Sequence, residues 1–218
     1  MKRLTKLANR YKTDKGTEYD FKHGFTEFYE PFFEKYEHPK ILELGVGGGG
    51  SEKMFNKFYD GDCEIYCVDI MDLGYLFENN KNIHFTCLDL GNESEVLHFI
   101  SSLGDIKFDI IIDDASHLPT HQYISLINFR KCLSDDGIFV IEDLHTSYDK
   151  SFVSFFNETP LMFLSGLKYN SFFYSENEHK ALVDAIEDII TFNHRNDNEK
   201  MNGYNNRSVT AVITFKKK

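Results

Sequence analysis

No apolar run in this chain approaches the ~20 residues needed to cross a bilayer, and mean hydropathy is −0.40, so no membrane partner is expected. Basic residues are scarce against acidic ones: 24 Lys and Arg face 35 Asp and Glu, a formal charge of −11. Such a surface repels a phosphate backbone, and apart from the Lys216–Lys218 tail the basic residues are scattered. Nucleic acid is therefore not an expected partner. The cysteines Cys63, Cys67, Cys87 and Cys132 contain no C-x-x-C pair, and three lie in or beside expected strands. That pattern reads as buried thiols in a reducing cytoplasm. Internal repeats and low-complexity tracts are absent too. The start, Met1 to Arg10, is basic but has no apolar core or small-residue cleavage site, and is not read as a secretory signal.

What remains is a chain of 218 residues with 41% apolar content, enough for one domain with a full core. Residues 1–38 form an aromatic, charged lead-in whose stripe from His23 to Phe33 has helical spacing and reads as core packing. From Lys40 the pattern alternates strand and helix, which implies a mostly parallel, doubly wound α/β sheet covered on both faces. Strands are expected at 40–45, 63–69, 83–87, 108–113, 137–142 and 209–215, with a further one near 161–168. Helices are expected at 51–59, 93–102, 119–132 and 179–191. Asn92-x-x-Glu95 has the form of a capping box, and Asp135 to Gly137 reads as a turn. The polar run 193–207 reads as a surface loop or lid.

The segment Lys40-Ile-Leu-Glu-Leu-Gly-Val-Gly-Gly-Gly-Gly50 carries the first functional signal. Ile41, Leu42 and Leu44 form a buried strand that breaks into a glycine turn, where backbone can approach a ligand that a Cβ would exclude. Glu43 sits where a carboxylate orients either a ligand's amino group or the loop itself. Gly45-x-Gly47-x-x-Gly50, with Asp69 19 residues beyond Gly50 at the end of the next strand, suits a ribose-bearing cofactor. Glycine spacing alone admits NAD as well as S-adenosylmethionine. The acid before the first glycine favours an aminoacyl cation over a pyrophosphate.

Two further strands end in acids: one runs to Asp113-Asp114 and continues Ala-Ser-His117, the other ends at Glu142-Asp143. In a doubly wound sheet both ends face the ligand side, so Asp114, Glu142 and Asp143 should converge. Converging carboxylates need a proton or cation to neutralise them, and hard oxygen donors suit Mg²⁺. His117, three residues past Asp114, is placed to act as general base on a substrate hydroxyl, forming the nucleophile for methyl transfer. His121 can equally point into the site or pack. His145 and Tyr148 read as surface loop.

These pieces together resemble the metal-dependent sugar O-methyltransferases of the macrocin and mycinamicin type. The matching residues are Lys12-Thr-Asp-Lys-Gly16 with His23 and Tyr29, Ile41 through Ser51, Val68-Asp-Ile70, Asp113-Asp-Ala-Ser-His117 with His121-Gln122, and Val140-Ile-Glu-Asp143 followed by Thr146-Ser-Tyr148. Ala115 stands where glycine is usual. The resemblance implies a Rossmann-like class I methyltransferase fold, with a seven-stranded, mostly parallel sheet and an antiparallel last strand. It also implies a cofactor site for S-adenosylmethionine from Glu43, Gly45, Gly47, Gly49, Ser51, Asp69, Asp89 and Asp113, with Asp89 facing the adenine. It implies Mg²⁺ on Asp114, Glu142 and Asp143, with His117 as base, acting on a small-molecule sugar or glycan hydroxyl. A homo-oligomer is compatible with it. An NAD-dependent oxidoreductase and a non-catalytic S-adenosylmethionine-binding module are the competing expectations.

Overall fold

The computed structural model describes residues 1–148, 176–195 and 207–217. Five parallel strands build the centre: β1 (Lys40–Leu44), β2 (Glu64–Asp69), β3 (Ile83–Cys87), β4 (Phe108–Asp113) and β5 (Leu133–Ile141). With β6 (Ile186–Arg195) and β7 (Arg207–Phe215) they form one sheet of order β3-β2-β1-β4-β5-β7-β6. β7 runs antiparallel to both β5 and β6. The order reverses between β1 and β4, which pair in parallel from Ile41↔Ile110 to Leu44↔Asp113. A doubly wound sheet binds its ligands at such a switch point, beyond the carboxyl ends of the strands.

Both faces are covered, so the central strands read as nearly continuous apolar runs. Period-two alternation splits their side chains between two cores. Ile41, Ile110 and Ile112 face α1 (Arg3–Tyr11), α2 (Phe25–Phe33) and α3 (Gly50–Phe58) through Leu4, Phe25, Tyr29, Phe33, Met54 and Phe55. Leu42, Leu44 and Ile111 face α4 (Glu93–Ser102), α5 (Pro119–Phe129) and α6 (Glu176–Ala185) through Val96, Phe99, Leu126 and Leu182. The aromatic stripe of α2 is core, as its spacing predicts: Phe25, Tyr29 and Phe33 are buried and stack in series. The Asn92 side chain caps α4, accepting from Ser94 N and Glu95 N, but the capping box is only half formed: Glu95 Oε1 takes the Asn92 side-chain amide at 2.8 Å, while the Asn92 backbone N–H donates to the Asp89 carbonyl.

Three boundaries differ from the sequence expectation. Residues 186–191 are not helix: α6 ends at Ala185, and Ile186 opens β6, which pairs with β7 from Ile186↔Phe215 to Arg195↔Arg207. The β-branched and aromatic residues Ile186, Ile189, Ile190, Thr191 and Phe192 find a partner strand, and long-range pairing overrides local helical periodicity. Asp135 to Gly137 does not break the chain. It lies inside β5, where the β4–β5 register shifts between Phe108 and Ile110. Gly137 is needed there, because a Cβ would stand 2.9 Å from the Phe108 carbonyl oxygen. The ends of the polar 193–207 run belong to β6 and β7, and its remainder, like the strand expected near 161–168, lies outside the described residues.

Candidate active site

The glycine turn joins β1 to α3 at the switch point. Gly45 has φ +96°, and a Cβ there would overlap the Asp114 backbone, so this glycine exists for the close approach of the β1 and β4 ends. Gly47, at φ +54°, has open space where its Cβ would be and gives its surface to the cleft. Asp69 at the end of β2 fastens the turn: its Oδ2 accepts from Val46 N (2.9 Å) and Gly47 N (3.4 Å), and Oδ1 accepts from Met71 N (2.9 Å). The cleft continues over Ile70, Leu88, Asp89, Leu90, Asp114, Ala115, Ser116 and His121. His121 turns into it, with Nδ1 at 2.8 Å from Ser116 Oγ and its ring so close to Gly91 that a Cβ there would lie 2.7 Å from Nε2. Gly49 caps α3, and Ser51 is buried in its first turn, donating to Glu52 Oε2 at 3.3 Å; neither lines the cleft.

Alternation at the end of β4 separates its two acids. Asp113 shares the α5 face with Ile111, is buried away from the cleft, and has its carboxyl pushed up to about 6 by burial, partly opposed by His117. Asp114 turns into the cleft, and there it meets a residue to which the sequence reading gave no role. Lys15, in the loop between α1 and α2, is 1% exposed and donates through Nζ to Asp114 Oδ2 and to Glu142 Oε2 (2.9 Å), with Glu43 Oε1 at 3.6 Å. Burial alone would lower the lysine's pKa. Asp114, Glu142 and Glu43 together outweigh it and hold the ammonium charged well above its ordinary range. Burial raises Glu142 strongly, with Asp114 adding repulsion, and raises Asp114 against the pull of Lys15. Glu43, fully buried beneath the turn, is pushed up to about 7 by burial despite Lys15.

Asp143 belongs to a second set. Its carboxylate lies 3.6 Å from His23 Nε2, 3.5 Å from His117 Nε2 and 3.5 Å from His145 Nδ1. Burial would raise this carboxyl; the three imidazoles, His23 foremost, hold it below the usual range. His145 is thus drawn into the site rather than left on the surface. Both His117 (φ +57°) and Asp143 (φ +54°) adopt the left-handed conformation that non-glycine residues avoid. Thr146 fastens both turns, its N–H and Oγ1 donating to the Asp143 carbonyl (2.9 and 2.8 Å) and Oγ1 also to the His117 carbonyl (3.3 Å). One donor atom each from Asp114, His117 and Asp143 lies within 4.8 Å of the others. Glu142 is engaged by Lys15 on one oxygen, and its other, Oε1, takes no hydrogen bond among the described residues.

The fold matches a solved methyltransferase of the mycinamycin biosynthetic pathway, MycE, crystallised with Mg and SAH, at a TM-score of 0.75 over 99% of this chain and 55% of that one, with 26% identity. The same protein has been seen with mycinamycin VI as well. Mycinamicin VI 2''-O-methyltransferase of Micromonospora griseorubida is 34% identical over 154 residues, which are 66% of this chain and 37% of that one.

The chain resembles the sugar O-methyltransferases of the macrocin and mycinamicin type.

Demethylmacrocin O-methyltransferase of Streptomyces fradiae, 32% identical over 66% of this chain and 37% of its own, is a further relative. No family model matches the chain. It spans less than two fifths of the length of these curated macrocin- and mycinamicin-type enzymes, 37% in each case. Its architecture is the class I methyltransferase fold, and β7, inserted between β5 and β6, is the antiparallel last strand the resemblance implies.

Proposed function

We propose that this chain is a Mg²⁺-dependent S-adenosylmethionine O-methyltransferase acting on a sugar hydroxyl of a small molecule or glycan. On this reading residues 1–218 work as one methyltransferase unit in the cytoplasm. The supporting observation is adjacency: Asp114 both lines the glycine-turn cleft and belongs to the acid and imidazole cluster beside it. A methyl donor in the first would face an acceptor hydroxyl in the second.

The cleft suits the donor. Asp69 supplies a carboxylate for ribose hydroxyls, Leu88, Asp89 and Leu90 border the adenine side, and Gly47 leaves room for the methionine portion. Gly45, Gly49 and Ser51 shape the turn, Glu43 braces it from below, and Asp113 braces the start of the His117 segment. S-adenosylmethionine, when bound, supplies the electrophilic methyl group. The acids suit a hard cation: Glu142 Oε1 and Asp143 Oδ1 are buried without a hydrogen bond among the described residues, beside Asp114. Asp114, Glu142 and Asp143 would hold Mg²⁺, which supplies the Lewis acidity that lowers the acceptor hydroxyl's pKa. His117 takes the hydroxyl proton on an imidazole nitrogen, with Asp143 orienting the ring. Thr146 keeps both residues in their strained turns.

Calorimetric titration of EDTA-treated protein with S-adenosylmethionine, S-adenosylhomocysteine and NAD, each with and without Mg²⁺, tests the reading. Micromolar binding of the two adenosyl ligands and none of NAD is expected, at roughly −8 kcal/mol. Binding of NAD alone would return the chain to the oxidoreductase alternative. If adenosyl ligands bind and Asp114→Ala leaves methyl transfer to sugar acceptors unchanged, the acid cluster has no part in catalysis.

A further inference from the structure

Lys15 comes from outside the strand and helix framework, and its loop is built to fix it. Its carbonyl accepts from Thr26 N and Thr26 Oγ1, both at 3.1 Å, and a Cβ on the following Gly16 would overlap the Asn9 side chain. The side chain is 1% exposed and ends among Glu43, Asp114 and Glu142. A buried ammonium is stable only where oxygens replace its water. Conversely, Asp114, Glu142 and Asp143 without any cation would repel one another. Among the described residues no other Lys or Arg makes an ion pair with these acids. Two of the lysine's partners, Asp114 and Glu142, are also the carboxylates assigned above to the divalent cation.

We infer that the Lys15 ammonium is the built-in counter-charge of the metal-free site and competes with the divalent cation for Asp114 and Glu142. The inference rests on the metal reading above. It makes Lys15 a positioning residue that holds the carboxylates together before loading and sets how tightly the cation is held. A cation that enters takes over oxygens the ammonium gives up, so the lysine lowers metal affinity while keeping the empty site folded.

The test is Mn²⁺ titration of the EDTA-treated full chain, with free Mn²⁺ followed by electron paramagnetic resonance, in the parent and in Lys15→Met. The folded variant should bind Mn²⁺ about tenfold more tightly. Its metal-free melting temperature should be lower than the parent's and should rise more on saturation with Mn²⁺. Binding by the variant where the parent binds none supports the competition equally. Equal or weaker binding by a folded variant overturns it and leaves the metal reading standing, whereas no binding by either protein overturns both. Should Lys15→Met not fold, amine labelling of Lys15 in the parent decides, read by mass spectrometry. Labelling that rises at Mn²⁺ saturation supports displacement of the ammonium, and unchanged labelling overturns it.

Discussion

His117 stands at the boundary between two roles. Its Nε2 is within 3.5 Å of Asp143 Oδ2, inside a cluster compact enough for a cation, yet an imidazole serving as a ligand cannot take a proton at the same nitrogen. If it is the base, His117→Ala should lower turnover by roughly 10² to 10⁴ while S-adenosylhomocysteine and Mn²⁺ affinities stay near the parent's. A loss of Mn²⁺ affinity matching the loss of rate would make it a ligand instead. Glu43 gives a pH prediction. Its folded-state carboxyl, raised to about 7 by burial, keeps its proton where the unfolded chain loses it. Its contribution to stability is therefore full below about pH 4.3 and is lost as pH rises through the folded value. Asp113, raised to about 6, acts with the same sign. Melting temperature of metal-free protein should fall across that window, and Glu43→Gln should flatten the fall; an unchanged slope would mean that Glu43 does not titrate there. Of these residues, the acids were legible because each ends a recognisable strand. Lys15 was not, since its partners Asp114 and Glu142 are 99 and 127 residues away, although the need for some cation among converging acids was visible.

Among the elements, the glycine turn separates packing from binding. Gly45→Ala forces a Cβ into the Asp114 backbone, and with left-handed strain added it should destabilise by at least about 2 kcal/mol in urea unfolding. Gly47→Ala meets open space and should lose only about 1 kcal/mol from its backbone conformation, but it should weaken S-adenosylhomocysteine binding. Similar losses of stability in both variants would contradict this division. The parallel strands β1 to β5 were legible in outline because apolar runs bounded by turn residues are local signals. The segment 186–191 continues the helical pattern of α6 in sequence, because its strand identity depends on β7, with which it pairs. His145 reads as loop in sequence for a related reason: nothing near it announces that the turn after Glu142-Asp143 folds back on His23, whose ring centroid is 5.7 Å from its own.

Across the whole molecule, the lead-in is part of the sheet's cover rather than an appendage. Leu4, Ala8, Phe25, Tyr29 and Phe33 bury the face carrying Ile41, Ile110 and Val212. Removing residues 1–24 would strip α1, Lys15 and His23 together. At about 2 kcal/mol for each large apolar side chain uncovered, the remainder should lose cooperative thermal unfolding as well as cation binding. A truncated protein with the parent's melting temperature would refute that. Tyr29 also reaches the far end of the chain: its hydroxyl lies 3.1 Å from Thr210 Oγ1, 181 residues away, and Thr210 in turn donates to the Ile141 carbonyl at 2.8 Å. On the ribosome, where chains emerge at about 5–20 residues per second, the Lys15 ammonium meets its two hydrogen-bonding carboxylates, Asp114 and Glu142, only after the ends of β4 and β5 have emerged. The Tyr29 hydroxyl waits longer, for β7. A segment is thus fastened by partners made after it, and part of its aromatic face stays open to chaperones until β4 and β7 arrive.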